Sequence, residues 1–451
     1  MLGVVVSRAD EASAHVGERL LDRAAWTQTT DDSRPDGEGG GTVYRTDGAV
    51  LREFDALHLD IERAADAFDD PDLLVFASRH AGETGPLLTA HHTGNFGAAD
   101  FGGDPGSFAR ACPNAHRAVV TALAEHAPDG YEVGMECTHH GPTEVGAPSM
   151  FVEVGSDEAQ WRDPDAADAV ARAILSLRGV ASDAGETIGP ERHLVGLGGG
   201  HYAPRFERVL RETDWAVGHV AADWSLDALD EWADGAADRE AVLDRAFAAS
   251  AAEFALLDAD RPALESTVEG LGYRVVDETF VRTTSGVPLS LVAELESAVG
   301  SVDEGLRFGD AATGGVESWA VVDVPADLLA EARGVDPEAV RSWVESETVA
   351  FGTEQNGTVV AGPVVVSAGD GRDDVVDVLA DALRSRYDSV ERDGGEVVAR
   401  ERTFDPELAR EAGVPEGPAF GRLSAGEPVE VDGEEIRPES VRSERIRRFT
   451  L

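Results

Sequence analysis

Residues 135–143 read Met-Glu-Cys-Thr-His-His-Gly-Pro-Thr. Glu136, Cys137, His139 and His140 place a carboxylate, a thiol and two imidazoles within five residues, a set able to ligate a metal or move protons. On an extended chain, alternate side chains face opposite ways. That rule predicts Glu136, Thr138 and His140 on one face and Cys137 and His139 on the other, with the Gly141-Pro142 turn free to break it. The other histidines sharpen the pattern: of 12, ten lie between His80 and His219, and none follows His219. His80 ends Ala-Ser-Arg-His, and His91 and His92 open His-His-Thr-Gly-Asn, with Gly94 and Asn95 behind them. In each adjacent pair, one imidazole can enter a shared site. His116 and His126, on a predicted helix, read as surface residues.

An open zinc site uses about three protein ligands plus water, and imidazole is the commonest ligand. The chain has no His-Glu-x-x-His and no paired Cys-x-x-Cys. Clustering therefore supports zinc, while spacing alone equally allows histidines acting as metal-free acid–base groups. Residues 194–206, Leu-Val-Gly-Leu-Gly-Gly-Gly-His-Tyr-Ala-Pro-Arg-Phe, add a second feature. Gly198, Gly199 and Gly200 lead into His201 and a helix opening near Pro204. His201 stands where a dinucleotide fingerprint needs glycine, and a Walker loop is excluded because the chain has no lysine. What remains is backbone that can approach a ligand closely near a helix start, with Arg205 beside it.

These residues need elements to hold them. Leu2–Val6 predicts a strand and the segment to Ala24 a helix. Thr42–Tyr44 and Ala49–Phe54 form a hairpin pattern. Leu73–Ala77, Tyr131–Thr138, Met150–Val154, Leu194–Leu197, Trp215–Ala221 and Tyr273–Val281 read as strands. Helices are expected over 113–126, 165–177, 204–212 and 287–299, and a glycine-rich segment over 82–106. Alternation of strands and helices predicts an α/β fold with a mostly parallel central sheet flanked by helices. Sites in such sheets lie past the carboxyl ends of strands, where His80, His139, His140 and His201 fall. From about residue 310 the texture changes to short strands and helices, an extra C-terminal α+β module.

Composition bounds the rest. The 451 residues suffice for two or three domains. The net charge is −49, all 38 basic residues are arginine, and acids run the whole length. Such a surface suits molar salt, where the Debye length is about 3 Å and self-repulsion is screened. It says little about the ligand. Two cysteines, Cys112 and Cys137, exclude a disulfide framework. No signal peptide and no apolar run of about 20 residues is present, so a soluble, cytoplasmic protein is expected, with no membrane partner.

Four segments together carry a family resemblance: Ala-Ser-Arg-His at 77–80, His-x-Thr-Gly-Asn at 91–95, Glu-Cys-Thr-His-His-Gly-Pro-Thr-Glu at 136–144 and Gly-Gly-Gly-His-Tyr-Ala-Pro at 198–204. Val-Gly-His at 217–219 is a weaker fifth. In this order they resemble the archaeal and plant type of D-aminoacyl-tRNA deacylase, over residues 1–308. The resemblance implies a phosphorylase/hydrolase-like fold and a monomer carrying zinc, two ions per subunit. The implied activity hydrolyses the ester of a D-amino acid on tRNA, guarding against D-amino acid toxicity and mistranslation. It points to His80, His91, Glu136, His139, His140 and His201, with Thr143 and His219 behind them, and selects His91 over His92. Zinc would be held among His80, His91, His140 and His201, while Glu136 or His139 relays protons and Thr143 assists. Gly94, Asn95, Gly198, Gly199, Gly200 and Arg205 are expected to meet the CCA end of tRNA, and DNA is not expected as a partner. A phosphorylase or peptidyl-tRNA hydrolase on the same scaffold, and a non-catalytic tRNA- or zinc-binding protein, are the alternatives. Residues 309–451 exceed the compact members of the family. Within them, 413–427 resembles a turn-and-strand segment of tRNA 3′-processing metallo-nucleases, whose histidine-rich motif is missing here.

Overall fold

Strand β1 (Leu2–Ser7) is buried along its whole length, as its apolar run requires. The Asp10 carboxylate then starts helix α1 (Glu11–Arg23) by accepting from the Ala12 and Ser13 amides. The computed structural model describes residues 1–183, 192–369 and 371–451. Within them the chain divides into two compact units, Met1–Ser285 and Gly286–Leu451.

The first unit contains two sheets. The larger has eight strands: β1, β2 (Thr27–Asp31), β3 (Gly41–Thr46), β4 (Ala49–Phe54), β5 (Leu73–Arg79), β6 (Leu87–His91), β7 (Glu132–Met135) and β8 (Ser149–Gly155). Their order is β2-β3-β4-β1-β5-β8-β6-β7. The centre from β4 to β8 is parallel, β2 and β3 form an antiparallel edge, and β6 runs antiparallel to β8. The second sheet is wholly parallel, in the order β10 (Ala216–Ala221), β9 (His193–Leu197), β11 (Phe254–Leu257), β12 (Arg274–Val276). Helices α2 (Pro113–His126), α3 (Glu158–Trp161), α4 (Pro164–Ser176), α5 (Pro204–Glu212), α6 (Asp223–Trp232) and α7 (Ala236–Ala249) lie between and around them. Proline opens α2, α4 and α5 at the first turn, where its missing N–H costs no hydrogen bond.

Four local readings change. The strand expected to reach Thr138 stops at Met135. The strand expected over Tyr273–Val281 ends at Val276, because Asp277 caps a helix, Glu278–Thr283, by accepting from the Phe280 amide. The glycine-rich segment contains β6, buried throughout. The strand Leu306–Phe308 pairs with Ala350–Glu354, which puts it in the second unit, so that unit begins before residue 309.

The second unit is α+β. An antiparallel four-stranded sheet runs in the order Leu306–Phe308, Ala350–Glu354, Val359–Ser367, Trp319–Val322. A three-stranded sheet joins Ser389–Asp393, Glu396–Phe404 and Arg442–Thr450. Residues 413–427 form a turn followed by a helix, Pro418–Ser424, not a strand, since proline stands at the helix start. No helix among the described residues is long and apolar enough to cross a membrane.

Candidate active site

Three neighbouring strands build the floor of a cleft. Register sets Ser78 beside Glu153 across β5 and β8, and Thr89 beside Glu153 and His91 beside Phe151 across β8 and β6. With a side-chain period of two, Phe76, Ser78 and His80 share a face with Phe151 and Glu153 and with Thr89 and His91. An acidic residue and two imidazoles thus stand on one buried sheet face.

The segment 136–141 closes over them. The Glu136 amide bonds to Ala90 O at 3.2 Å, the Cys137 amide to His201 O at 2.8 Å and the Thr138 amide to Val220 O at 2.8 Å. The chain is therefore clipped to both sheets rather than continuing as a strand. His140 adopts a left-handed φ of 48°, so the alternation expected for 136–140 fails at its end. Both His139 and His140 turn towards His91, with ring centroids 4.3 and 4.9 Å from it.

Glu136 is the hub and is 1% exposed. Its Oε1 accepts from Thr89 Oγ1 at 2.6 Å and lies 3.0 Å from His80 Nδ1. Its Oε2 is 2.8 Å from His201 Nε2 and 3.7 Å from His139 Nε2. Burial raises this carboxyl, but the bonds from His201 and His80 outweigh it and hold Glu136 well below the usual range. Glu153 lies 3.6 Å from His91 Nε2 and 3.8 Å from His80 Nδ1, and there burial wins and pushes the carboxyl up. Tyr202 meets His80 Nε2 through its hydroxyl at 3.2 Å.

Three groups of side chains could hold a metal among the described residues: His91, His139 and His140; Cys137, His139 and His201; and His80, Glu136 and Glu153. The first fits an ion best. Each of its Nδ1 atoms meets a backbone carbonyl, His91 at His92 O (3.1 Å), His139 at Cys137 O (2.9 Å) and His140 at Gly141 O (2.6 Å). In a neutral ring that leaves the Nε2 lone pair free, as in metal-binding histidines whose other ring nitrogen donates to a carbonyl. His91 Nε2 is moreover buried without a hydrogen-bond partner. Burial pushes the Cys137 thiol up to about 12, which weakens the second group as a thiolate site.

Of the remaining expectations, Gly94 and Asn95 line the cleft, and Asn95 also bonds to Gly102 O and Asp104 O. Thr143 does not line it; its hydroxyl accepts from the Asp104 amide and holds that loop. Gly198, Gly199, Gly200 and Arg205 also stand off the cleft. Gly199 donates to Asp223, and Arg205 is committed to Asp258 O at 2.7 Å and Glu278 at 3.6 Å. His92, His116 and His219 form a buried group behind the site, so His116 is a core residue and not a surface one. The sequence reading missed Glu153, His58, Arg79, Phe101 and Trp224, all on the cleft, which has a volume of about 750 Å³. The signal for Glu153 was available: a single acid inside the apolar run Met-Phe-Val-Glu-Val.

The family model described as D-aminoacyl-tRNA deacylase matches residues 67–276. A protein named D-aminoacyl-tRNA deacylase from Haloarcula marismortui is 63% identical over all of both chains. One of the same name from Natronomonas pharaonis is 56% identical, again over the whole of both. One from Methanoregula boonei is 35% identical over 83% of this chain and 84% of its own. A solved structure described as a conserved protein of unknown function aligns with a TM-score of 0.53 and 31% identity, over 62% of this chain and 96% of that one.

Proposed function

Because the chain belongs to the D-aminoacyl-tRNA deacylase family, we propose that its cleft hydrolyses the ester between a D-amino acid and tRNA, releasing both. The observation that carries this reading is the convergence of His91, His139 and His140, with their Nδ1 atoms fixed, beside the cleft-lining carboxyl of Glu153.

His91, His139 and His140 would hold a zinc ion, which when bound supplies Lewis acidity towards water and the ester carbonyl. His80 and His201 leave the ligand set expected from the sequence and become the two arms of Glu136. Glu136, saturated by hydrogen bonds and away from the cleft surface, orients both rings. Of the cleft-lining carboxyls, Glu153 is the one beside the three histidines, 3.6 Å from His91 Nε2. It takes the proton of the attacking water. As the carbonyl carbon–oxygen bond to the ribose breaks, Glu153 returns that proton to the leaving ribose oxygen. The acidic surface suits a salt-rich cytoplasm, where its self-repulsion is screened, and the chain acts there as a monomer.

The direct test compares hydrolysis of D-Tyr-tRNA and L-Tyr-tRNA at molar salt, with elemental analysis of the same preparation. The expected result is rapid hydrolysis of the D form alone, with zinc bound to the protein. Equal rates on the two forms would overturn the chiral reading, and full activity of metal-free protein would overturn the zinc assignment.

A further inference from the structure

Aromatic residues make up only 6% of this chain, and few large apolar side chains face solvent. Two of the most exposed lie on the same cleft: Phe101, 70% exposed, and Trp224, 49% exposed. They stand at opposite ends of the histidine row. Phe101 O accepts from the Gly141 amide at 2.9 Å, which sets it next to His140. Trp224 lies near-parallel to His201, with ring centroids 6.5 Å apart. Between them run the rings of His140, His139 and His201, at centroid spacings of 4.4 and 4.8 Å. The backbone that carries both aromatics is fixed. Phe101 follows a loop so close to α6 that a Cβ on Gly97 would lie 2.7 Å from Ala228 O. Trp224 is in the first turn of α6, whose Asp223 amide bonds to Gly199 O at 2.9 Å.

A third residue, at the cleft edge where β5 ends, is independently unusual. Arg79 lies over the Trp161 ring at 5.0 Å, and among the described residues no carboxylate lies within 4.0 Å of its guanidinium. The buried Asp10 carboxylate accepts from the Arg79 amide at 3.3 Å, and the nearby guanidinium charge partly offsets the rise that burial causes in it. It stays beyond ion-pair distance, so the guanidinium can still meet an outside anion.

We propose that Trp224 and Phe101 are the seat of the unpaired 3′ end of tRNA, with Trp224 stacking on the terminal base and Arg79 meeting the adjoining phosphate. The inference rests on the tRNA substrate proposed above and adds how its end is gripped. Stacking on an aromatic ring is insensitive to salt, unlike phosphate attraction, and so suits a strongly acidic protein. It also fixes the terminal ribose, and with it the ester, over the histidine row.

The test is a binding titration with uncharged RNA hairpins ending either in single-stranded CCA or in CC, read by fluorescence anisotropy. Wild-type protein is expected to prefer the CCA hairpin by roughly 5- to 160-fold, the range for loss of one stacked base. Trp224→Ala and Phe101→Ala should each erase most of that preference, and Trp224→Phe should restore it. Arg79→Gln should weaken both hairpins and reduce the slope of log Kd against log salt by about 1. On charged tRNA, Trp224→Ala should raise KM more than it lowers kcat. Preference unchanged within twofold in both alanine variants would overturn the seat, as would equal weakening of the two hairpins by Trp224→Ala. Phe101 is mostly exposed, so its variant answers even if Trp224→Ala folds poorly. Binding needs no turnover. Wild type that discriminates the hairpins but hydrolyses neither enantiomer would refute the deacylase reading and leave the seat standing. Hydrolysis of D-Tyr-tRNA without discrimination would do the reverse.

Discussion

Glu153 and Glu136 lie within reach of the same imidazole, His80, yet their surroundings separate their roles. Glu136 is bonded on both oxygens and held ionised. Glu153 makes only longer approaches, is raised by burial and lines the cleft. Glu153→Gln should lower kcat about 100- to 10,000-fold, the range for a lost acid–base group, with tRNA affinity unchanged. Single-turnover rates and the hairpin titration would show this together; an undiminished rate would remove Glu153 from the reaction. For the metal, His140→Ala should release zinc, whereas His201→Ala should retain it, because His201 is tied to Glu136. Zinc content by elemental analysis reads that difference without reference to activity.

Helix α2 and strand β10 meet through imidazoles rather than through aliphatic side chains alone. His92 lies 4.6 Å from His116 and 5.7 Å from His219 between ring centroids. His219 Nε2 donates to Ala109 O while Nδ1 meets Thr138 Oγ1, so the ring is bonded as a neutral tautomer. Burial lowers both His116 and His219 to about 4. A histidine held neutral in the fold contributes stability that is present at neutral pH and is lost as pH falls below the unfolded value near 6.5. Between pH 7 and 5 the loss is about 2 kcal/mol for each fully buried ring. Melting temperature should therefore fall over that window, and His219→Gln, less stable at pH 7, should show a shallower fall. The loop bearing His139 and His140 is also tightly seated. A Cβ on Gly141 would lie 2.4 Å from the Gly103 amide nitrogen, a backbone atom that cannot rotate away. Gly141→Ala should cost about 1–3 kcal/mol in chemical denaturation and weaken zinc retention.

Charge acts on the molecule as a whole. At 0.01 M salt the Debye length is about 30 Å, and the 87 acidic residues repel across each unit. Raising potassium chloride from that level to molar concentration should raise the melting temperature, and a flat response would refute charge repulsion as the dominant stress. Each unit also has its own core. Phe247, Leu243 and Val195 pack in the first, and Val344, Phe351 and Leu379 in the second. Calorimetry should accordingly resolve two unfolding transitions, with zinc shifting the one that belongs to the first unit, since no histidine lies beyond His219.

The sequence by itself determined the histidine domain, the alternation of strands and helices, and the motif 136–144, because residue type and period are local properties. It could tell that His91 or His92, but not both, enters one site, since strand geometry is a two-residue repeat. It could not tell that His139 and His140 face the same way. That depended on His140 leaving the extended region and on hydrogen bonds from Cys137 to the loop after β9 and from Thr138 to β10. Nor could it show that His80 and His201 bond to Glu136 while His91, His139 and His140 turn their Nδ1 atoms to backbone carbonyls, because those partners are set by tertiary contacts. Glu153 and Trp224 come from elements that carry no motif, and only the register of β5, β8 and β6 and the docking of α6 bring them to the cleft. Residue chemistry is written along the chain; which atoms lie within 3 Å of each other is decided by long-range packing.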